Sequence, residues 1–550
     1  MARNDGGASS GSSGAASSGG SLGSSGSGGS TGSASSGAAS SPASSVSGSS
    51  GSGASSGSSA SGASSAGGGA SGSSSGTPAS DGGADATVGD ATANDATVGD
   101  VTLADMTVSD GPGPDATTGG DSASGGSDGS SGSTCPPLVT TQTSFVNLAP
   151  PGLVQVAPFD PNENDPVPGA DAGVSGPAGW NFYNFPGAVC RDGSPLGIYV
   201  RYGSVNKLMI YMEGGGVCIS PHFCDHNPAN MNQVFPGGSL NGESFGGSLL
   251  IVSGLQAPYT DGIFDTTNSA NPFLNWSQVY IPYCTGDAHS GTNADGSMPD
   301  DLGNPTTQYF VGYSNMQAFV ARIGATFKTV DQVVLTGASA GGLGAGLSFG
   351  LVQDAFGTVP VTLIDDSFPP FLGNDEITPC LQSLTNGLWN LSGGLPSDCT
   401  ECSDPDGGFT NIVPYWLQKY PQAHFALISS IHDQIIRLFL AAGTNNCSDT
   451  DPNLLTGLGL QGSDVPEFDG GQYEQGLMTL RSTYQCTNRI SSYFIGTGDP
   501  DASDSNGTID TLHEHIFRPR FYEALAGPGQ PTLAQWMADV VSGKIERVGP

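Results

Sequence analysis

Gln332-Val333-Val334-Leu335-Thr336-Gly337-Ala338-Ser339-Ala340-Gly341-Gly342 decides how the rest of this chain is read. Gln332 to Thr336 is a short apolar run rich in β-branched residues, and it predicts a buried strand. The small and apolar stretch from Gly342 to Gln353 predicts a helix. Between the two, small residues on both sides of Ser339 permit a sharp turn that would hold its hydroxyl proud of a sheet. A helix beginning there also offers unpaired N–H groups to a developing oxyanion.

The pattern G-x-S-x-G discriminates nothing by itself here. Gly53-Ala54-Ser55-Ser56-Gly57 and Gly72-Ser73-Ser74-Ser75-Gly76 match it in a region that cannot fold. What selects Ser339 is the strand before it and the helix after it, the setting of a nucleophile elbow. That setting predicts an α/β-hydrolase-like domain, with a mostly parallel sheet and helices on both faces, and Ser339 as a nucleophile toward esters.

Composition divides the chain near residue 134. Residues 1–134 are almost wholly Ser, Gly, Ala, Thr and Asp and contain no aromatic side chain. Such a segment buries too little apolar surface to offset its ordering entropy, so a disordered tail is expected. Within it, Asp85, Asp90, Asp95, Asp100, Asp105, Asp110 and Asp115 recur every five residues. A period of five suits neither strand nor helix and reads as low-complexity linker. The repeats lack the alternating ligands and terminal Glu of a calcium loop.

Residues 135–550 suffice for one large domain, with its core over about 180–550. Of the chain's 50 acidic and 14 basic residues, 39 and 13 fall here, a net charge of −26. So acidic a surface disfavours nucleic acid and anionic membranes. No apolar run is long enough for a membrane span. All ten cysteines lie beyond the Ser/Gly tail, from Cys135 to Cys486, which predicts disulfides and an oxidising compartment. The start, Met1-Ala2-Arg3-Asn4-Asp5, shows no secretory h-region. An extracellular or cell-surface location, with a lipoprotein-type anchor ahead of the spacer, is the expectation, and a cytoplasmic one its competitor. His222-x-Cys224-x-His226 could ligate a metal, although a disulfide through Cys224 suits the cysteine-rich setting better. Cys399-x-x-Cys402 has no second pair at zinc-ribbon spacing.

The rest of a serine-hydrolase apparatus is sought around Ser339. Lys207 to Met212 predicts a strand that ends in Glu213-Gly214-Gly215-Gly216. A glycine-rich loop after an early strand supplies oxyanion N–H groups in such enzymes, together with the residue after the nucleophile. Gly215, Gly216 and Ala340 are therefore the expected donors. An acid and a histidine should follow Ser339 in that order. His424 to Ser430 predicts a strand leading to Asp433, and Val361 to Ile364 one leading to Asp366; either Asp could orient the base. Only His513 and His515 follow Asp433. An H-x-H pair could instead bind metal, without matching ligands at metal spacing.

Several motifs together resemble the pectin acetylesterase family. Cys190-Arg191-Asp192-Gly193-Ser194-Pro195 resembles its C-x-D-G-S-P block, and Glu213-Gly214-Gly215-Gly216-Val217-Cys218 its E-G-G-G-W-C loop, with Val217 where Trp is usual. Asn271-Pro272 to Trp276, Tyr283-Cys284-Thr285-Gly286-Asp287 and Gly337-Ala338-Ser339-Ala340-Gly341-Gly342-Leu343 are similar to three further family blocks. They run in family order over about residues 180–520. The resemblance implies Ser339, Asp433 and His513 as the triad, through Ser430-Ile431-His432-Asp433-Gln434 and Leu512-His513-Glu514-His515-Ile516. It also implies the disulfides Cys190–Cys284 and Cys218–Cys224. The expected protein is a monomeric esterase that needs no cofactor or metal, and its acidic surface favours an acylated, foremost acetylated, neutral glycan or a small ester over polygalacturonate as substrate. Two other classes compete: a surface carbohydrate-binding or adhesin-like protein, and a metal-dependent hydrolase using His222, His226 and His513 or His515.

Overall fold

The apolar runs beginning at Lys207, Gln332, Val361 and His424 all become strands of one sheet. The structure is a computed structural model that describes residues 142, 144–168, 178–225, 227–234, 260–299, 304–403, 408–444, 447, 468–496 and 513–550. These fall within one compact unit, Ser122–Pro550. The tail 1–134 with its Asp repeats, Cys135, His226 and the His222 side chain lie outside the described residues.

The sheet strands are β1 (Asn181–Val189), β2 (Pro195–Arg201), β3 (Lys207–Met212), β4 (Ser277–Ile281), β7 (Gln332–Ala338), β8 (Val361–Asp366), β9 (His424–Ser430), β10 (Ile490–Ile495) and β11 (Arg547–Val548). Strands β5 (Asn293–Pro299) and β6 (Pro305–Phe310) form a separate antiparallel pair. In space the order is β1-β2-β4-β3-β7-β8-β9-β10-β11. From β4 to β11 the neighbours are parallel, while β1 and β2 add an antiparallel edge.

Strands β3, β7, β8 and β9 are buried at nearly every position rather than at alternate ones. Continuous burial means that both faces of the sheet are covered, as parallel sheets require. Leu208, Ile210, Val333, Leu335, Ile364 and Ile428 anchor that core. The helix Ala340–Phe356 packs against β7 and β8, and Gly312–Thr326 packs against it in turn. Among the described residues no helix is long and apolar enough to cross a membrane.

Strand order reverses at β3. The chain leaves β3 for β4 on one side, then crosses back to β7 on the other. Such a reversal opens a crevice at the carboxyl ends of the strands, where α/β sheets hold their ligands. Met212, at the end of β3, pairs with Gly337 near the end of β7. The loops that follow these two strands therefore emerge side by side.

Candidate active site

Ser339 stands between β7 and the helix Ala340–Phe356, with φ 56° and ψ −124°. A non-glycine residue rarely takes that backbone conformation, and strain of this kind concentrates at functional turns. Two glycines make the turn possible. A Cβ on Gly337 would run into the carbonyl of Gly341, and one on Gly341 would run into the carbonyl oxygen of Met212. The turn is fixed by the N–H of Ser339, which donates to the carbonyl of Asp366 at 2.8 Å. Ser339 is 3% exposed, so its hydroxyl is shielded from bulk water.

The loop Glu213–Gly216 lies against this turn, and a Cβ added to Gly214 would sit 3.0 Å from the Ser339 Cβ. Gly215 and Gly216 have φ of 145° and 77°, which a side chain would oppose. Asn227 Nδ2 donates to the Gly215 carbonyl at 2.6 Å, and His289 Nε2 donates to the Glu213 carbonyl at 2.8 Å. The Tyr283 N–H donates to Glu213 Oε2 at 3.0 Å. Disulfides Cys218–Cys224 and Cys190–Cys284 tie down the flanking chain. The N–H groups of Gly215, Gly216 and Ala340 meet no hydrogen-bond acceptor among the described residues. Unpaired donors on the loop that meets Ser339 at Gly214, and on the residue after it, suit an oxyanion.

Burial shapes the protonation of this loop. It pushes the Glu213 carboxyl up to about 8, so Glu213 is neutral at pH 7. It pulls the His289 imidazole down to about 4, which leaves that ring neutral and its Nε2 protonated to serve the Glu213 carbonyl.

Asp433 caps the helix Gln434–Ala441, its Oδ1 accepting the N–H groups of Ile435 and Ile436 at 3.0 Å each. Its Oδ2 accepts His513 Nδ1 at 2.7 Å. Both side chains are buried, and His513 Nε2 has no hydrogen-bond partner among the described residues. Burial pulls the His513 pKa down, but the charge and hydrogen bond of Asp433, joined by the charges of Glu514 and Asp366, outweigh it and hold the pKa above its ordinary value. An imidazole with one nitrogen held by a carboxylate and the other unengaged is built to take up a proton.

Asp366, the alternative acid, serves the backbone instead. Its Oδ2 accepts the N–H groups of His515 at 2.6 Å and Ile516 at 2.9 Å, and its Oδ1 accepts the Ser367 hydroxyl at 2.8 Å. Ser367 Oγ accepts the Glu514 N–H in turn, at 2.9 Å. Burial raises the Asp366 carboxyl to about 6 against these hydrogen bonds. His515 is buried beside His513 but contributes its backbone to this clamp.

Of the cysteines whose partners the sequence left open, Cys380 pairs with Cys447 and Cys399 with Cys402. Among the described residues no cluster of three His, Cys, Asp or Glu side chains could hold a metal ion. The sequence reading passed over Ser367, His289 and the buried state of Glu213. Glu213 sits in a quoted motif, yet nothing in a linear pattern announces a buried, neutral carboxyl. His289 follows the Tyr283–Asp287 block by two residues, which was the available signal.

The pectinacetylesterase family model matches residues 182–452. Palmitoleoyl-protein carboxylesterase NOTUM of Drosophila melanogaster is 26% identical over 229 residues, covering 38% of this chain and 31% of that protein. Pectin acetylesterase 11 of Arabidopsis thaliana is 27% identical over 259 residues, covering 45% of this chain and 59% of that protein. The crystal structure of the Wnt deacylase Notum from Drosophila overlays with a TM-score of 0.43 at 18% identity, covering 67% of this chain and 95% of that one. The matches thus span 31% and 59% of the length of these two curated relatives, less than two thirds of either. It carries a pectinacetylesterase-family domain, in which Ser339, Asp433 and the Gly214–Gly216 loop all lie.

Proposed function

We propose that this protein is a serine carboxylic-ester hydrolase that removes acyl groups, acetyl foremost, from a glycan or small ester. The observation that carries the reading is the buried 2.7 Å contact between His513 Nδ1 and Asp433 Oδ2, on a loop that Asp366 ties to the strained turn of Ser339. His513 Nε2 takes the proton of Ser339 as Oγ attacks the ester carbonyl. The N–H groups of Gly215, Gly216 and Ala340 hold the oxyanion, and the proton passes to the departing alcohol. Water, activated by the same nitrogen, then releases the acid from the acyl-enzyme. No step calls for a metal or cofactor.

Relatives named as a pectin acetylesterase and as a palmitoleoyl-protein carboxylesterase support an ester as the bond cleaved. The net charge of −26 on residues 135–550 favours a neutral acylated glycan over an anionic polymer. Disulfides among the described residues support an extracellular or cell-surface location. The test is a panel of acyl esters of increasing chain length given to the wild-type and Ser339→Ala chains. Hydrolysis of short acyl esters by the wild type alone supports the reading; equal hydrolysis by both overturns it.

A further inference from the structure

Glu514 sits between the two buried histidines with φ 61°, its N–H anchored on Ser367 Oγ at 2.9 Å. A Cβ placed on Gly214 would meet Glu514 Oε1 at 2.7 Å and the Ser339 Cβ at 3.0 Å. The carboxylate and the nucleophile therefore close on the same glycine of the oxyanion loop. Arg518 forms a loose ion pair with Glu514, a terminal nitrogen lying 3.7 Å from Oε2, and Glu213, Asp366 and His513 feel the Glu514 charge. Arg518 gives its shorter hydrogen bonds to the backbone: its Nε donates to the Glu514 carbonyl at 2.6 Å and the same terminal nitrogen to the His513 carbonyl at 3.2 Å.

The other acids around Ser339 differ from it. Asp433 spends both oxygens on Ile435, Ile436 and His513. Asp366 spends both on His515, Ile516 and Ser367. Glu213 is fully buried and accepts the Tyr283 N–H. The Glu514 side chain is 17% exposed, with its negative end beside the nucleophile.

We propose that Glu514 sets the charge selectivity of this site, turning away esters that carry a carboxylate near the scissile bond and admitting neutral or cationic ones. The inference rests on Ser339 being the nucleophile. A second carboxylate held about 6–8 Å away at an effective dielectric near 20 would slow the reaction by roughly 30- to 100-fold. The favoured substrate class is an ester of a neutral glycan or an amino-bearing alcohol, and a polyuronide is disfavoured.

The experiment measures how fast the full chain is labelled by two fluorophosphonates of equal size, one neutral and one carrying a carboxylate. In the wild type the neutral probe should label at least about tenfold faster, and raising the salt should shrink that ratio because screening weakens a charge effect. In Glu514→Gln the ratio should fall to within about threefold of unity, the repulsive charge being gone. A wild-type ratio near one, or an undiminished ratio in Glu514→Gln, overturns the proposal. Ser339→Ala separates the two readings. If it is labelled as fast as wild type, the nucleophile assignment fails and the selectivity argument goes with it. If labelling is lost but the ratio never depended on Glu514, only the selectivity argument fails.

Discussion

The N–H of Ser339 donates to the main-chain carbonyl of Asp366 at 2.8 Å. The carboxylate of the same Asp366 receives the N–H groups of His515 and Ile516. One residue therefore ties the turn of Ser339, the proposed nucleophile, to the loop that carries His513. Asp366→Asn keeps a carboxamide oxygen able to accept both N–H groups, so turnover should stay within about tenfold of wild type. Asp366→Ala leaves two buried N–H groups and the Ser367 hydroxyl without their acceptor, at about 1–3 kcal/mol for each donor left unpaired, and should lower both the melting temperature and kcat. Thermal melts and ester kinetics on the two variants check this.

Asp433→Asn should lower kcat by up to about 10⁴, by analogy with the orienting acid of serine proteases. It should also move the acid limb of the pH profile. The negative charge of Asp433 holds the His513 pKa up, so its removal lowers that pKa. Residual activity should then persist to lower pH than wild-type activity does. A pH–kcat/KM series on both proteins reads the direction directly.

His513→Ala should cost nearly as much as Ser339→Ala, because a serine without a base is a weak nucleophile. His515→Ala should be milder, since the backbone N–H that His515 gives to Asp366 survives the substitution. Equal losses in the two histidine variants would sink the assignment of His513 as the base.

Glu213→Gln should change how stability depends on pH. The folded-state pKa of Glu213 is about 8, well above that of an unfolded glutamate. The folded form thus holds a proton that the unfolded form has lost, and wild-type stability declines as pH rises from about 4.5 toward 8. Glutamine cannot ionise, so Glu213→Gln should gain about 1–3 kcal/mol on wild type at pH 8 relative to pH 5. Urea melts at the two pH values measure it.

Gly341→Ala should damage the elbow itself. The added methyl would collide with the Met212 carbonyl oxygen, which belongs to the neighbouring strand and cannot move aside cheaply. A loss of about 1–3 kcal/mol in stability is expected, the usual range for overpacking, together with a fall in fluorophosphonate labelling.

The strands that frame the site were legible because parallel strands covered on both faces read as unbroken apolar runs, as Lys207–Met212 and Gln332–Ala338 do. The strand Ile490–Ile495 escaped notice because Ser491 and Ser492 interrupt its apolar pattern, although both are buried. Ser339 was legible only through the elements flanking it. Asp433 and Asp366 could not be ranked by spacing, since both follow strands. Their roles diverge on which carboxylate meets a ring nitrogen 80 residues away and which meets backbone N–H groups 149 residues away. The clamp of Asp366, Ser367 and Glu514 has no local signature at all, because it exists only once two distant loops have met.

That distance has a kinetic consequence. The Glu213–Gly216 loop meets the turn at Ser339 only when β3 pairs with β7, and His513, the proposed base, arrives only when its segment reaches Asp366 and Asp433. Folding slows as native contacts become less local, because loop-closure entropy is lost before the contacts compensate it. The proposed hydrolytic competence is therefore among the last properties the chain would acquire, after synthesis has passed His513. Partly made or partly folded molecules, however well their central strands have formed, would not yet hydrolyse esters.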